Sequence, residues 1–195
     1  MPRLLAALCL ALASGLAQAE VHRVEVEVMA GVPPEEAWER LSDFSVAHLY
    51  VPGLTRTEIV STQREGTGAQ RRVYDEDGDY LEETIIAWRE GSGFDLALHQ
   101  GEDPMAPFDS ITFTYALAAA GASETRISLA MVFEMPWGWL GDYLAAWFIV
   151  PVMEDNLVQV AAGMKHYYET GQAASDADRE RESAAVQVLP AAGFD

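Results

Sequence analysis

Alternation between apolar and polar positions dominates the first two thirds of the chain. From His22 to Met29, Val24, Val26 and Val28 fall on one side and Arg23, Glu25 and Glu27 on the other. That two-residue period predicts a half-buried strand. Gly31-Val32-Pro33-Pro34 ends it. Pro34 suits the first turn of a helix, and Glu35 and Glu36 suit its positive end. Ala37, Trp38 and Leu41 then form an apolar stripe. A second short helix or turn is expected over Asp43 to Tyr50, before Pro52-Gly53.

Strand patterns follow with little helical spacing between them. They cover Thr57–Thr62, Ala69–Tyr74, Tyr80–Glu90, Phe94–His99, Ser110–Leu117 and Thr125–Met135. Gly66-Thr67-Gly68, Asp77-Gly78, Gly91-Ser92-Gly93 and Gly121 separate several of them, and Gly101 to Pro107 reads as a loop. Asp-Gly has the chemistry of a tight hairpin turn. Ile111, Phe113, Tyr115 and Leu117 share one face of their strand, as do Ile127, Leu129, Met131 and Phe133 of theirs. Strands apolar on one face only imply an antiparallel sheet.

Pro136 closes the strand region, and Gly138 to about Gly171 reads as one long helix kinked at Pro151. Met153, Leu157, Val160 and Met164 recur at helical spacing along its second half. The predicted class is therefore α+β: a curved antiparallel sheet, two short helices after its first strand, and a long C-terminal helix covering its apolar face. Gln172 to Asp195, rich in Ala, Ser, Asp and Glu, is expected to be a disordered acidic tail without a core.

At the other end, Arg3, the apolar run Leu4 to Ala13 and Ala17-Gln18-Ala19 have the form of a signal peptide, with cleavage expected after Ala19. The run is too short to span a bilayer. The expected parts are thus 1–19 signal, 20–171 domain and 172–195 tail, with a periplasmic or secreted location. Cys9 is the one cysteine and would leave with the signal, so no disulfide is expected. Arg3 would leave too, giving 11 basic against 31 acidic residues. Such a chain is repelled by nucleic-acid phosphates and by anionic lipid.

Several stretches resemble one family. Val32-Pro33-Pro34-Glu35-Glu36-Ala37-Trp38-Glu39-Arg40-Leu41-Ser42-Asp43-Phe44 looks like the first-helix segment of the START/Bet v 1-like (SRPBCC) superfamily. Val51-Pro52-Gly53 with Thr57-Glu58-Ile59-Val60 resembles its entry into the second strand. Gly66-Thr67-Gly68-Ala69-Gln70-Arg71-Arg72, Glu82-Glu83 and Phe133-Glu134-Met135-Pro136 with Gly138 and Gly141 resemble its polyketide cyclase/dehydrase branch. The resemblance covers about Val21 to Gly171. It implies the helix-grip fold and a ligand cavity under the final helix. It leaves function open, since members bind lipids, hormones or polyketides, some are cyclases, and others act on protein partners.

Candidate chemistry is sparse. Gly66-Thr67-Gly68 lacks the third glycine and the following helix of a dinucleotide loop. His22, His48, His99 and His166 have no neighbours at zinc-ligand spacing, so no metal or cofactor is expected. No sequence context supports a Ser or Cys nucleophile. Glu82 and Glu83 are adjacent on a strand, so one must face inward. Burial would raise its pKa unless Arg71 or Arg72 pairs with it. The expected cavity residues are Phe113, Tyr115, Met131 and Phe133 on strands and Met153, Asn156, Leu157, Val160 and Met164 on the helix. Arg72, Glu83 and Asn156 are the expected polar contacts. The first reading is an exported protein that holds a lipid or other apolar molecule. A cyclase/dehydratase moving protons through Arg72, Glu83 or Tyr115 is the alternative. A third reading is a docking module built on the aromatic run Trp137, Trp139, Tyr143, Trp147 and Phe148. That run reads first as packed core, then as a gate over the cavity mouth, then as a patch that docks on a membrane or partner.

Overall fold

The structure is a computed structural model that describes residues 20–190. The expected cleavage site and the apolar run before it lie outside the described residues. Strand β1 (Val21–Ala30) is followed by helix α1 (Pro34–Ser42) and a 3-10 turn (Ala47–Leu49). Next come β2 (Arg56–Ile59), β3 (Gln70–Tyr74), β4 (Tyr80–Arg89), β5 (Gly93–Gln100) and the two-residue β6 (Asp103–Pro104). Strands β7 (Ser110–Ala119) and β8 (Thr125–Glu134) complete the run.

One antiparallel sheet contains them all. Its order is β2-β3-β4-β5-β7-β8-β1, with β6 against β5. Register places Val24 opposite Met131 and Val26 opposite Leu129. Phe113 likewise faces Met131, and Tyr115 faces Leu129. Opposed residues share a face of the sheet, so the apolar sets of β1, β7 and β8 merge into one buried surface. This is the expected α+β helix-grip architecture.

The long helix covers that surface in three pieces. Helix α2 (Trp139–Leu144) runs into a π-helical turn (Ala145–Ile149) and then into α3 (Val150–Thr170), which stops at Gly171. Pro151 has no N–H to donate, so an ordinary α-turn ahead of it would leave a carbonyl unpaired. The wider π turn falls at that point, just ahead of the proline where the kink is expected. By length and composition the helix Trp139–Thr170 could cross a bilayer. Its C-terminal half instead packs on the sheet, with Leu157, Ala161, Met164 and Tyr168 fully buried.

Gly163 sets where α3 lies. A Cβ there would stand 2.1 Å from the Tyr50 carbonyl oxygen, which belongs to the backbone after the 3-10 turn. Only a residue without Cβ permits that approach.

The segment expected to be a disordered tail is ordered through Pro190. Helix α4 (Asp176–Ser183) begins in a capping box, Ser175 with Asp178. It packs against α3, and its buried Arg179 donates to the Ala174 carbonyl, in the link between the two helices, at 2.6 Å. Lys165 to Glu182 at 3.4 Å adds an ion pair. Strand β9 (Gln187–Leu189) then pairs antiparallel with the outer edge of β1, Val26 opposite Val188. Composition misled because this segment needs no core of its own. It uses the exposed back of α3 and backbone donors that β1 would otherwise leave unpaired. The tail reading for 191–195 lies outside the described residues.

Gly163→Ala should destabilise the fold by about 1–3 kcal/mol, because backbone rather than a flexible side chain must yield. A fall of several degrees in thermal midpoint is expected. An unchanged midpoint would show that α3 is not seated by this contact.

Candidate ligand-binding cavity

Between the sheet and the first half of α3 lies a cavity of about 440 Å³. Sheet residues Val73, Leu81, Leu98, Phe113, Tyr115 and Met131 form its floor. Met153, Asn156 and Val160 come from α3, spaced by three and four residues so that they share one face. Val51, Pro52 and Leu54 close one side, and Met105 another. Polar groups are few: Glu83, Tyr80, Asn156, and Asp75 and Asp79 in the β3–β4 turn. The volume falls within the range of about 300–1,000 Å³ usual for small-molecule sites.

Seven expected residues meet in this wall: Glu83, Phe113, Tyr115, Met131, Met153, Asn156 and Val160. Four do not. Leu157 and Met164 face the sheet further round the helix and are fully buried core. Phe133 points inward but is sealed, stacked on His22 at 5.3 Å and against Phe108 at 5.1 Å between centroids.

Arg72 is the fourth, and its placement corrects the expectation that it contacts the ligand. Arg71 lies opposite Glu83 and Arg72 opposite Glu82. Arg72 therefore sits on the outer face, donating to Glu82 at 2.9 and 3.0 Å, with its guanidinium 4.6 Å from the Tyr80 ring centroid. The signal was present in the sequence: Ala69, Arg71 and Val73 alternate on one face, and Val73 is apolar. The loop-borne wall residues Val51, Pro52, Leu54 and Met105 were missed, because loops carry no periodic signal.

Arg71 and Glu83 form a buried ion pair. Arg71 Nε donates to Glu83 Oε2, and Nη1 donates to the Phe44 carbonyl at 3.0 Å. The Phe44 ring lies 4.1 Å from the guanidinium carbon, a favourable cation–π distance. Arg71 Nη2 is buried with no partner among the described residues. Burial opposes the guanidinium charge, but the Glu83 carboxylate outweighs it and holds the Arg71 pKa above its ordinary value. Arg71 does not line the cavity, whereas Glu83 does. Glu83 Oε1 accepts no hydrogen bond from any described residue.

Tyr115 is kept a donor. Burial pushes its hydroxyl well above the usual phenol pKa, and Tyr50, packed edge-on at 6.4 Å between ring centroids, is raised by burial too. The arrangement can accept hydrogen bonds at Glu83, donate one at Tyr115 and enclose apolar bulk elsewhere. Among the described residues, no group of three or more His, Cys, Asp or Glu could hold a metal ion.

The aromatic run lies beside the cavity mouth and is not packed core. Trp137, Trp139 and Trp147 are 68%, 78% and 67% exposed, and Leu140, Tyr143, Phe148 and Val152 are exposed as well. Small residues explain it. Gly141 and Ala145 form the buried side of this stretch, and a Cβ on Gly141 would stand 2.0 Å from the Pro136 carbonyl oxygen. The helix approaches the body through its smallest residues, so its largest must point outward. His22 Nε2, 3.4 Å from Asp142 Oδ1, ties this stretch to β1. Val152 belongs both to this exposed face and to the cavity wall.

A curved antiparallel sheet gripping a long C-terminal helix over an apolar cavity defines a START/Bet v 1-like protein. The chain belongs to the family described as polyketide cyclase / dehydrase and lipid transport, whose profile matches residues 21–165. Solved structures agree on the fold. Ara h 8.0201 is 21% identical, with a TM-score of 0.57 over 76% of this chain and 98% of its own. The Zhui aromatase/cyclase of a Streptomyces species is 18% identical, with a TM-score of 0.60 over 76% and 94%. A START superfamily protein from Mycobacterium smegmatis is 16% identical, with a TM-score of 0.55 over 74% and 97%. No curated protein gives a significant match.

Breaking the Arg71–Glu83 pair from either side should be costly. Arg71→Met or Glu83→Leu alone should destabilise by about 3–5 kcal/mol, since each strands a buried polar partner. The double variant Arg71→Met/Glu83→Leu should lose clearly less than the two single losses together. Chemical denaturation of all three, compared as a double-mutant cycle, measures this coupling; strict additivity would show that the pair does not interact.

Proposed function

We propose that this protein is an exported carrier that holds a lipid or other apolar small molecule in the cavity and exchanges it at a membrane surface. The observation behind the reading is the continuity of the apolar cavity wall with the exposed aromatic face through Val152. An apolar cargo gains by entering from an apolar surface without crossing water. Trp and Tyr favour the interfacial zone of a bilayer, so Trp137, Trp139, Trp147 and Phe148 are the proposed contact residues. No Lys or Arg occurs from 127 to 164, which favours a zwitterionic surface over an anionic one. Family membership, whose description includes lipid transport, is consistent with this role. The signal-like N-terminus supports a periplasmic or secreted location.

A second reading rests on Glu83 and Tyr115 sharing the cavity wall. A carboxylate acceptor and a protonated phenol could move protons on a bound polyketone, as a cyclase or dehydratase requires.

Native mass spectrometry of the protein purified from an exporting host should reveal a co-purified apolar molecule. A clean apo mass, with no lipid taken up after incubation with host membranes, would sink the carrier reading. Trp139→Ser/Trp147→Ser should lower association with zwitterionic phosphatidylcholine vesicles by about tenfold or more while leaving the fold intact. Wild-type protein that ignores such vesicles would redirect the aromatic face towards a protein partner.

A further inference from the structure

The charged side chains that reach the cavity are all acidic. Asp75, Asp79 and Glu83 line it, and no Lys, Arg or His does. The one cation nearby, Arg71, is committed to Glu83 Oε2 and to the Phe44 carbonyl, and stays out of the wall. Arg72, the next cation along, is turned to the outer face and held by Glu82. Asp75 Oδ1 is occupied by the amides of Asp77 and Asp79 in the turn. The Asp79 carboxylate accepts no hydrogen bond from any described residue, and neither does Glu83 Oε1. Glu154 and Asp155, next to the wall residues Met153 and Asn156, add negative charge along the helix side.

We propose that the cavity selects a ligand whose polar end donates hydrogen bonds and carries no negative charge: an alcohol- or amine-headed apolar molecule, and not a fatty acid or other anionic amphiphile. This rests on the carrier reading and adds the ligand class to it. The free oxygen of Glu83 is open to the cavity, and a ligand that covers it without donating a hydrogen bond leaves the acceptor unmet at a cost. A ligand hydroxyl or ammonium supplies that donor. A ligand carboxylate brings only acceptors, so it leaves Glu83 Oε1 unmet, and it finds no counter-ion in the wall, since Arg71 is already paired with Glu83 and Asp79 carries a like charge. Asn156 and Tyr115 offer neutral hydrogen bonds to either kind of head, so the discrimination falls to the carboxylates.

The test is displacement of a neutral solvatochromic dye from the wild-type protein at neutral pH and low salt, with dodecanol, dodecylamine and dodecanoate as competitors below their aggregation thresholds. Dodecanol and dodecylamine should displace the dye at concentrations at least about tenfold lower than dodecanoate. Dodecylamine ahead of dodecanol would mean that the carboxylates act as charges; equality would mean that they act as hydrogen-bond acceptors, and either supports the proposal. Dodecanoate binding as tightly as dodecanol overturns it and leaves the carrier reading standing. If neither the dye nor any competitor binds, the carrier reading falls and this inference with it. Glu83→Gln should narrow the gap to dodecanoate, but it also strands Arg71 and could prevent folding. Asp79→Asn, in the exposed turn, avoids that hazard and should narrow the same gap. An unaltered gap in a folded Asp79→Asn protein would remove Asp79 from the selecting group.

Discussion

Helix α3 can lie on the sheet only where its backbone meets the Tyr50 carbonyl, and Gly163 is the residue that allows the meeting. Around that pivot the helix is pressed down, and Leu157 and Ala161 before it and Met164 and Tyr168 after it become core. Towards its N-terminus the same helix meets larger side chains on both sides. Met153 and Asn156 stand above Phe113, Tyr115 and Met131 without filling the space between. The cavity is therefore the complement of one tight contact: close packing at one end of a stiff rod forces separation at the other.

The buried Arg71–Glu83 pair works at right angles to that rod. It joins neighbouring strands β3 and β4 across the inner face of the sheet, and through the Phe44 carbonyl it fastens them to the segment after α1. A buried pair of this kind adds little net stability compared with an apolar replacement of the same shape. Its effect lies in arrangement. It fixes which oxygen of Glu83 is occupied and which is left for the cavity. The outer pair Arg72–Glu82 has the same residue types in the next register position, but solvent screens it and it organises nothing inside.

Much of the fold could be read from period-2 patterning, because β1, β7 and β8 each bury one clean face. The cavity was legible to the extent that it is built from such strands and from one helix face. Met153, Asn156 and Val160 were found, while Leu157 and Met164, at the same helical period but rotated towards the sheet, are core. Parity failed at Arg71-Arg72, where two identical side chains sit side by side and only the flanking Ala69 and Val73 show which one faces in. The aromatic run defeated composition for a related reason. Nothing in an apolar stretch states which side is buried until Gly141 and Ala145 are recognised as the side that must come close. Helix α4 and strand β9 were invisible because what orders them, packing against α3 and pairing with β1, leaves no mark in the composition of the segment itself.

Strand β9 also bears on what counts as the whole domain. The family profile ends at residue 165, and everything from α4 onward lies beyond it. Without that extension, β1 would present a bare row of amides and carbonyls along an apolar strand, a surface that invites a neighbouring molecule to add its own strand. The chain satisfies this edge with its own C-terminal segment. The stretch Glu25–Glu27 at the middle of that edge is covered by a segment that a trim to the family boundary would discard.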